Sequence, residues 1–304
     1  MGFVQGDGGA SVLSRARAAA ILVALVSLTG VARAQFPAPP TVSGMSNGGL
    51  HYEISGRGSD WVVLIHGFGV DMHLWDGQMA VLDSGFRVLR YDLPAHGKSP
   101  APAEPEHGWQ DLMQLLDQLN IPTANIVGLS AGSNIAVDFA VVSPERVERL
   151  VLASPNIDGF VPKENMMTWF GPIAAMARAG HPDSAAALFA AAPLVKLYAN
   201  PAAQGTLTAL IMANAQVWRD TLRPRTPPLT PPALAQLGKI HSPVLVMVGA
   251  HDSPDTRAIA DTIVKSVRGA KLLVFAKSGH VLNFDQPAKF DSALVSFLWY
   301  TASP

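Results

Sequence analysis

The 304-residue chain has no cysteine, which excludes a disulfide framework and any thiol nucleophile. Charge is scarce as well: Asp, Glu, Lys and Arg make up 15% of the residues and the formal net charge is −1, so the basic footprint of a nucleic-acid binder is missing. No group of His and carboxylates has metal-ligand spacing, and no dinucleotide or Walker glycine pattern follows a strand. Neither a metal nor any other cofactor is therefore expected. An apolar run from Ala18 to about Leu28 is too short for a comfortable membrane span, and nothing later resembles a membrane segment. What remains is an apolar chain, 49% hydrophobic, with enough residues beyond position 34 for one domain with a sizeable core.

The N-terminus reads as a signal peptide. Arg15 and Arg17 precede the apolar run, and Ala32-Arg33-Ala34 supplies small residues for cleavage before Gln35. Residues 1–34 are thus expected to be removed, leaving a periplasmic or secreted protein with no stable membrane span; an uncleaved anchor is the alternative. Residues 35–48, rich in Pro, Ser and Gly, read as a flexible leader before a first strand at Leu50–Ser55.

The most informative stretch is Gly128-Leu129-Ser130-Ala131-Gly132. It interrupts a β-branched apolar run ending near Val127, and Ile135, Ala136, Phe139 and Ala140 then recur at helical spacing. A serine on so sharp a strand-to-helix turn projects its hydroxyl clear of the backbone, and its neighbours must be small where helix and strand crowd together. The amide of Ala131 falls at the positive end of the helix, where it can donate to a developing oxyanion. Serine is a weak nucleophile near neutral pH, so a base must take its proton and a third group must orient the base. Downstream, Pro243–Gly249 reads as a buried strand followed by Ala250-His251-Asp252. Lys271–Phe275 reads as the next strand, followed by Lys277-Ser278-Gly279-His280.

Three further motifs complete a pattern. Trp61–Ile65 runs into His66-Gly67-Phe68-Gly69, Phe86–Tyr91 runs into Asp92-Leu93-Pro94-Ala95-His96-Gly97-Lys98-Ser99, and Ser143–Glu148 links the serine's helix to Arg149-Leu150-Val151-Leu152. From about Leu50 to Leu298 the chain resembles the α/β-hydrolase superfamily, in its esterase and lactonase branch with an inserted helical cap. The resemblance implies an α/β fold, a mostly parallel sheet with helices on both faces. Its chain order of serine, acid and histidine makes Asp252 the acid and His280 the base for Ser130. It also implies that the Phe68 amide joins that of Ala131 in an oxyanion hole, and that the Asp92–Ser99 turn is structural.

Other residues have plainer readings. His66 is expected to shape its loop, His251 to be an exposed neighbour of the acid, and Ser133 to be a helix-surface hydroxyl. Asp255 suits the first turn of a helix. Asp158 occupies a place where some relatives carry the acid, and is the alternative to Asp252. The core is expected at 49–155 and 238–304, with a helical cap at 156–237 whose proline-rich end, Arg223–Pro232, returns stiffly to the sheet. Most of the cap's Met, Trp, Phe and Leu residues are expected to pack it on the core, with three or four facing substrate. Neither Arg178 nor Arg219 is expected to turn inward, so the pocket should favour neutral esters.

The expected activity is hydrolysis of a small-molecule carboxylic ester or lactone through an acyl-enzyme. A carbon–carbon bond hydrolase, a cofactor-free perhydrolase and a non-catalytic ligand-binding module of the same fold are the alternatives.

Overall fold

The computed structural model describes residue 2 and residues 41–102, 107–163, 167–220 and 228–299. The expected signal segment, apart from Gly2, and residues 223–227 of the proline-rich return lie outside the described residues. In chain order come strands β1 (Val42–Met45), β2 (His51–Gly56) and β3 (Trp61–Ile65), helix α1 (Asp76–Leu82), strand β4 (Arg87–Tyr91) and helix α2 (Gly108–Gln118). Strand β5 (Ala124–Leu129), helix α3 (Ala131–Val142) and strand β6 (Val147–Ala153) follow. After β6 the described segments hold helices and no strand: α4 (Met167–Arg178), α5 (Pro182–Ala190), α6 (Gln204–Ala213) and α7 (Val217–Asp220), joined by short 3-10 turns. Alternation then resumes with β7 (Val244–Gly249), α8 (Pro254–Ser266), β8 (Lys271–Phe275), α9 (Leu282–Asp285) and α10 (Pro287–Leu298).

The strands form one eight-stranded sheet in the order β1-β2-β4-β3-β5-β6-β7-β8. Pairing is antiparallel at β1–β2 and β2–β4 and parallel from β4 to β8. Parallel strands covered on both faces must be apolar throughout rather than alternating, and β5 and β7 are buried along their whole lengths. Successive residues still face opposite ways. Val62 and Leu64 join the core under α1 and α10, whereas Val63 and Ile65 join the core under α2, α3 and α8. Ile173, Phe189 and Trp218 of the inserted helices extend the first of these cores.

One expectation changes here. Within the leader predicted at 35–48, Val42–Met45 pairs with β2, Val42 opposite Ile54 and Met45 opposite His51. The free edge of β2 offers unpaired N–H and C=O groups that a passing segment can satisfy. Such an edge strand buries little side chain, so it leaves almost no apolar pattern to read.

Candidate active site

Between the end of β5 and the start of α3 there is a single residue, Ser130, with φ 55° and ψ −114°. An L-residue with positive φ is strained and persists only where its surroundings over-determine it. Here its amide donates to the Ala153 carbonyl at 3.0 Å, while its own carbonyl accepts from the amides of Ser133 and Asn134 at 2.9 and 3.2 Å. The flanking glycines are needed for close approach: a Cβ on Gly128 would lie 2.4 Å from the Gly132 carbonyl oxygen, and one on Gly132 would lie 2.2 Å from that of Ile65.

The loops after β7 and β8 bring Asp252 and His280 together. His280 Nδ1 lies 2.9 and 3.0 Å from the two Asp252 carboxylate oxygens, and both residues are buried. Burial alone would raise the Asp252 pKa, but the charge and hydrogen bond of His280 and hydrogen bonds from Ser253 and Ser154 outweigh it, and the net shift is downward. With Nδ1–H given to Asp252, Nε2 carries the lone pair; it is buried and bonded to no described group. Ser130 and His280 line one cavity of about 630 Å³. The Ser130 hydroxyl is not hydrogen-bonded to Nε2 in this structure, a looseness common in active sites without substrate.

Phe68 lies in the loop after β3, and Ala131 is the first residue of α3, so the Ala131 amide has no carbonyl partner within its own helix. The loop holding Phe68 is fixed by two buried histidines. His66 donates from Nδ1 to the Gly67 carbonyl at 2.7 Å and accepts the Leu93 amide at Nε2 at 2.9 Å. His96 donates to the Pro94 carbonyl at 2.9 Å and accepts the Gly69 amide at 3.1 Å. Burial, and for His66 the nearby His96, push both pKa values down, His66 to about 3. They are neutral struts, as the sequence predicts for His66. Asp92 serves the neighbouring turn, accepting from the amides of Met72 and Lys98 and pairing with His51.

Of the other candidates, Asp158 receives a 3.2 Å bond from the Asn134 side chain while His280 Nδ1 is engaged by Asp252. Asp255 sits in the first turn of α8, and its carboxylate also accepts the Lys163 amide. His251 is exposed and stacks on Tyr198 with ring centroids 4.6 Å apart. Ser133 departs from expectation. It is fully buried rather than on a helix surface, donating to the Ser130 carbonyl at 2.7 Å and accepting the Asn156 amide at 2.9 Å, because the loop after β6 covers that side of α3. Trp169 and Leu194 of the inserted segment line the cavity, together with Phe160, Pro162 and Tyr198. Arg178 and Arg219 are exposed and do not line it.

Sequence reasoning passed over two residues. Ser154, at the end of β6, is fully buried and donates to the His280 carbonyl at 2.7 Å. Asp138, on α3, has its pKa raised to about 7 by burial and by the nearby Asp158. By helical phase Asp138 falls about 100° from Phe139 and off the stripe of Ile135, Ala136, Phe139 and Ala140, so the sequence pointed it away from the core. Nothing in its local sequence marks Ser154.

Residues 62–293 match the alpha/beta hydrolase family model. The chain belongs to that family. It is 29% identical over 82% of its length to the dihydrolipoyllysine-residue acetyltransferase component of the acetoin cleaving system of Cupriavidus necator, and spans 66% of that relative. It is 27% identical over 80% of its length to the pimeloyl-(acyl-carrier protein) methyl ester esterase of Nitrosomonas europaea, covering 97% of it. Among solved structures, the enol-lactonase from Burkholderia xenovorans LB400 superposes over 85% of this chain and 100% of its own, with a TM-score of 0.67 and 27% identity. Among the described residues no helix is long and apolar enough to cross a membrane.

Proposed function

We propose that this hydrolase-family protein is a serine hydrolase of carboxylic esters or lactones. The observation carrying this reading is that His280 gives one ring nitrogen to Asp252 and leaves the other unbonded in the cavity that Ser130 lines. A small side-chain adjustment lets Nε2 take the Ser130 proton as Oγ attacks the substrate carbonyl. The amides of Phe68 and Ala131 stabilise the resulting oxyanion. Collapse breaks the acyl C–O bond, and the proton on Nε2 passes to the departing alkoxide. Water, deprotonated by His280, then attacks the acyl-serine, the acyl C–Oγ bond breaks, and the proton on Nε2 returns to Ser130. The products are a carboxylic acid and an alcohol, or one hydroxy acid from a lactone.

The helices between β6 and β7 act as a cap whose apolar residues suit a neutral acyl or alcohol group. Residues 1–34 act as an export signal that places the mature protein in the periplasm or outside the cell.

The test is a panel of chromogenic esters of graded acyl length with lactones, each neutral substrate paired with its ω-carboxylate analogue. Turnover of the neutral members, lost by several orders of magnitude in a folded Ser130→Ala variant, is the expected result. Ester turnover by that variant within tenfold of wild type would falsify the nucleophile. Cleavage of vinylogous diketones in place of esters moves the reading to carbon–carbon bond hydrolysis.

A further inference from the structure

The C-terminal end of β6 touches every member of the proposed triad. Ala153 accepts the Ser130 amide at 3.0 Å, holding the strained backbone of the strand-to-helix turn. The next residue, Ser154, turns at φ 45°, and its amide donates to the Met247 carbonyl of β7 at 2.8 Å. Its hydroxyl, fully buried, donates to the His280 carbonyl at 2.7 Å and is among the groups that hold the Asp252 pKa down. A buried serine with positive φ is an uncommon choice, since glycine would adopt that backbone without strain. Retention of a strained side chain in a dry place is explained when its hydroxyl has work there.

We propose that Ser154 is a positioning residue that holds the Asp252–His280 pair in register with Ser130 through one hydroxyl shared between the His280 main chain and the Asp252 carboxylate. This rests on the serine-hydrolase reading of the site. A hydroxyl has one proton, so it donates to the carbonyl or to the carboxylate and accepts through its remaining lone pairs. Donation to the carbonyl sets where the His280 backbone stops after β8, and with it the depth of Nε2 in the cavity. Donation to the carboxylate favours its ionised form, which keeps the imidazole in the Nδ1–H tautomer. The backbone bonds of Ala153 and Ser154 to Ser130 and Met247 make the two halves of the site one rigid unit.

Two variants separate positioning from folding. Ser154→Ala removes the hydroxyl, and Ser154→Gly removes it while relieving the backbone strain. Both should lower kcat by about tenfold to a hundredfold, with KM within about twofold of wild type. The acid limb of the kcat/KM profile should move to higher pH in both, because a carboxylate that has lost a donor is more basic and the pair titrates together. In wild type, proton NMR should show the downfield Nδ1–H resonance of His280, and in Ser154→Gly that resonance should shift upfield or broaden. The NMR arm needs no substrate, so it still reports on Ser154 if the ester panel finds no turnover and the hydrolase reading fails. A folded Ser154→Gly protein with unaltered kcat, acid limb and Nδ1–H resonance overturns the proposal. Failure of the glycine variant to fold overturns it too, since the hydroxyl would then serve the fold rather than the pair.

Discussion

Trp218 of α7 stands edge-to-face against Phe68, with ring centroids 5.1 Å apart and planes at 88°. Phe189 of α5 meets the same ring at 6.1 Å, and a Cβ on Gly69 would lie 2.8 Å from Phe189. The inserted helices therefore bear directly on the loop whose amide is the proposed oxyanion donor. Trp218 is wholly buried, so Trp218→Ala should cost about 3–5 kcal/mol of stability in a denaturant titration. It should also lower kcat more than Trp218→Phe, which keeps an aromatic face for Phe68. Equal kcat in the two folded variants would sever the link between helices and loop.

Asp252→Asn should reduce kcat by orders of magnitude, because an amide fails to hold His280 in the Nδ1–H tautomer. Asp158→Asn should cost little, since Asp158 is bonded to Asn134 and does not engage His280 Nδ1. Steady-state kinetics on an ester that wild type cleaves distinguishes them, and the reverse ranking would move the acid to the loop after β6.

Asp138 gives the molecule a pH-dependent weakness. Its folded-state pKa of about 7 lies above the value near 3.9 of an unfolded chain. The folded state binds the proton more tightly, so this contribution to stability is full below about pH 4 and is lost as pH rises towards 7. Asp138→Asn removes the titration. Its Tm relative to wild type should climb between about pH 4 and pH 7 and then level off, and a difference that stays constant across that window counts against the raised pKa.

If residues 1–34 act as an export signal, mass spectrometry of the protein recovered from its native cells should find a mature N-terminus at or within a few residues of Gln35. Intact protein beginning at Met1 in the cytoplasm would rule the export reading out.

The parts of this protein that its sequence determined are those written in short range. The turn at Ser130 is largely local, since Gly128 answers to the Gly132 carbonyl four residues on, although Gly132 itself answers to the Ile65 carbonyl of β3. The buried strands β5 and β7 announce themselves because a parallel strand covered on both faces must be apolar along its length, whereas β8, a largely exposed edge strand, was legible as Lys271–Phe275 from its run of Leu, Val and Phe. Asp252 and His280 followed because each lies on the loop directly after such a strand.

Tertiary structure decided the rest. Ser154 and His280 are 126 residues apart and meet only because β6, β7 and β8 lie side by side. Ser133 lost its expected place on the surface when the loop after β6 closed over α3, and Val42–Met45 became a strand because β2 offered it an edge. Which apolar residues of the inserted helices line the cavity, such as Trp169 and Leu194, and which clamp Phe68, such as Phe189 and Trp218, was likewise unreadable. Periodicity records that a side chain leaves water, whereas the identity of its neighbour depends on how separate elements pack, and that information lies in no single stretch of chain.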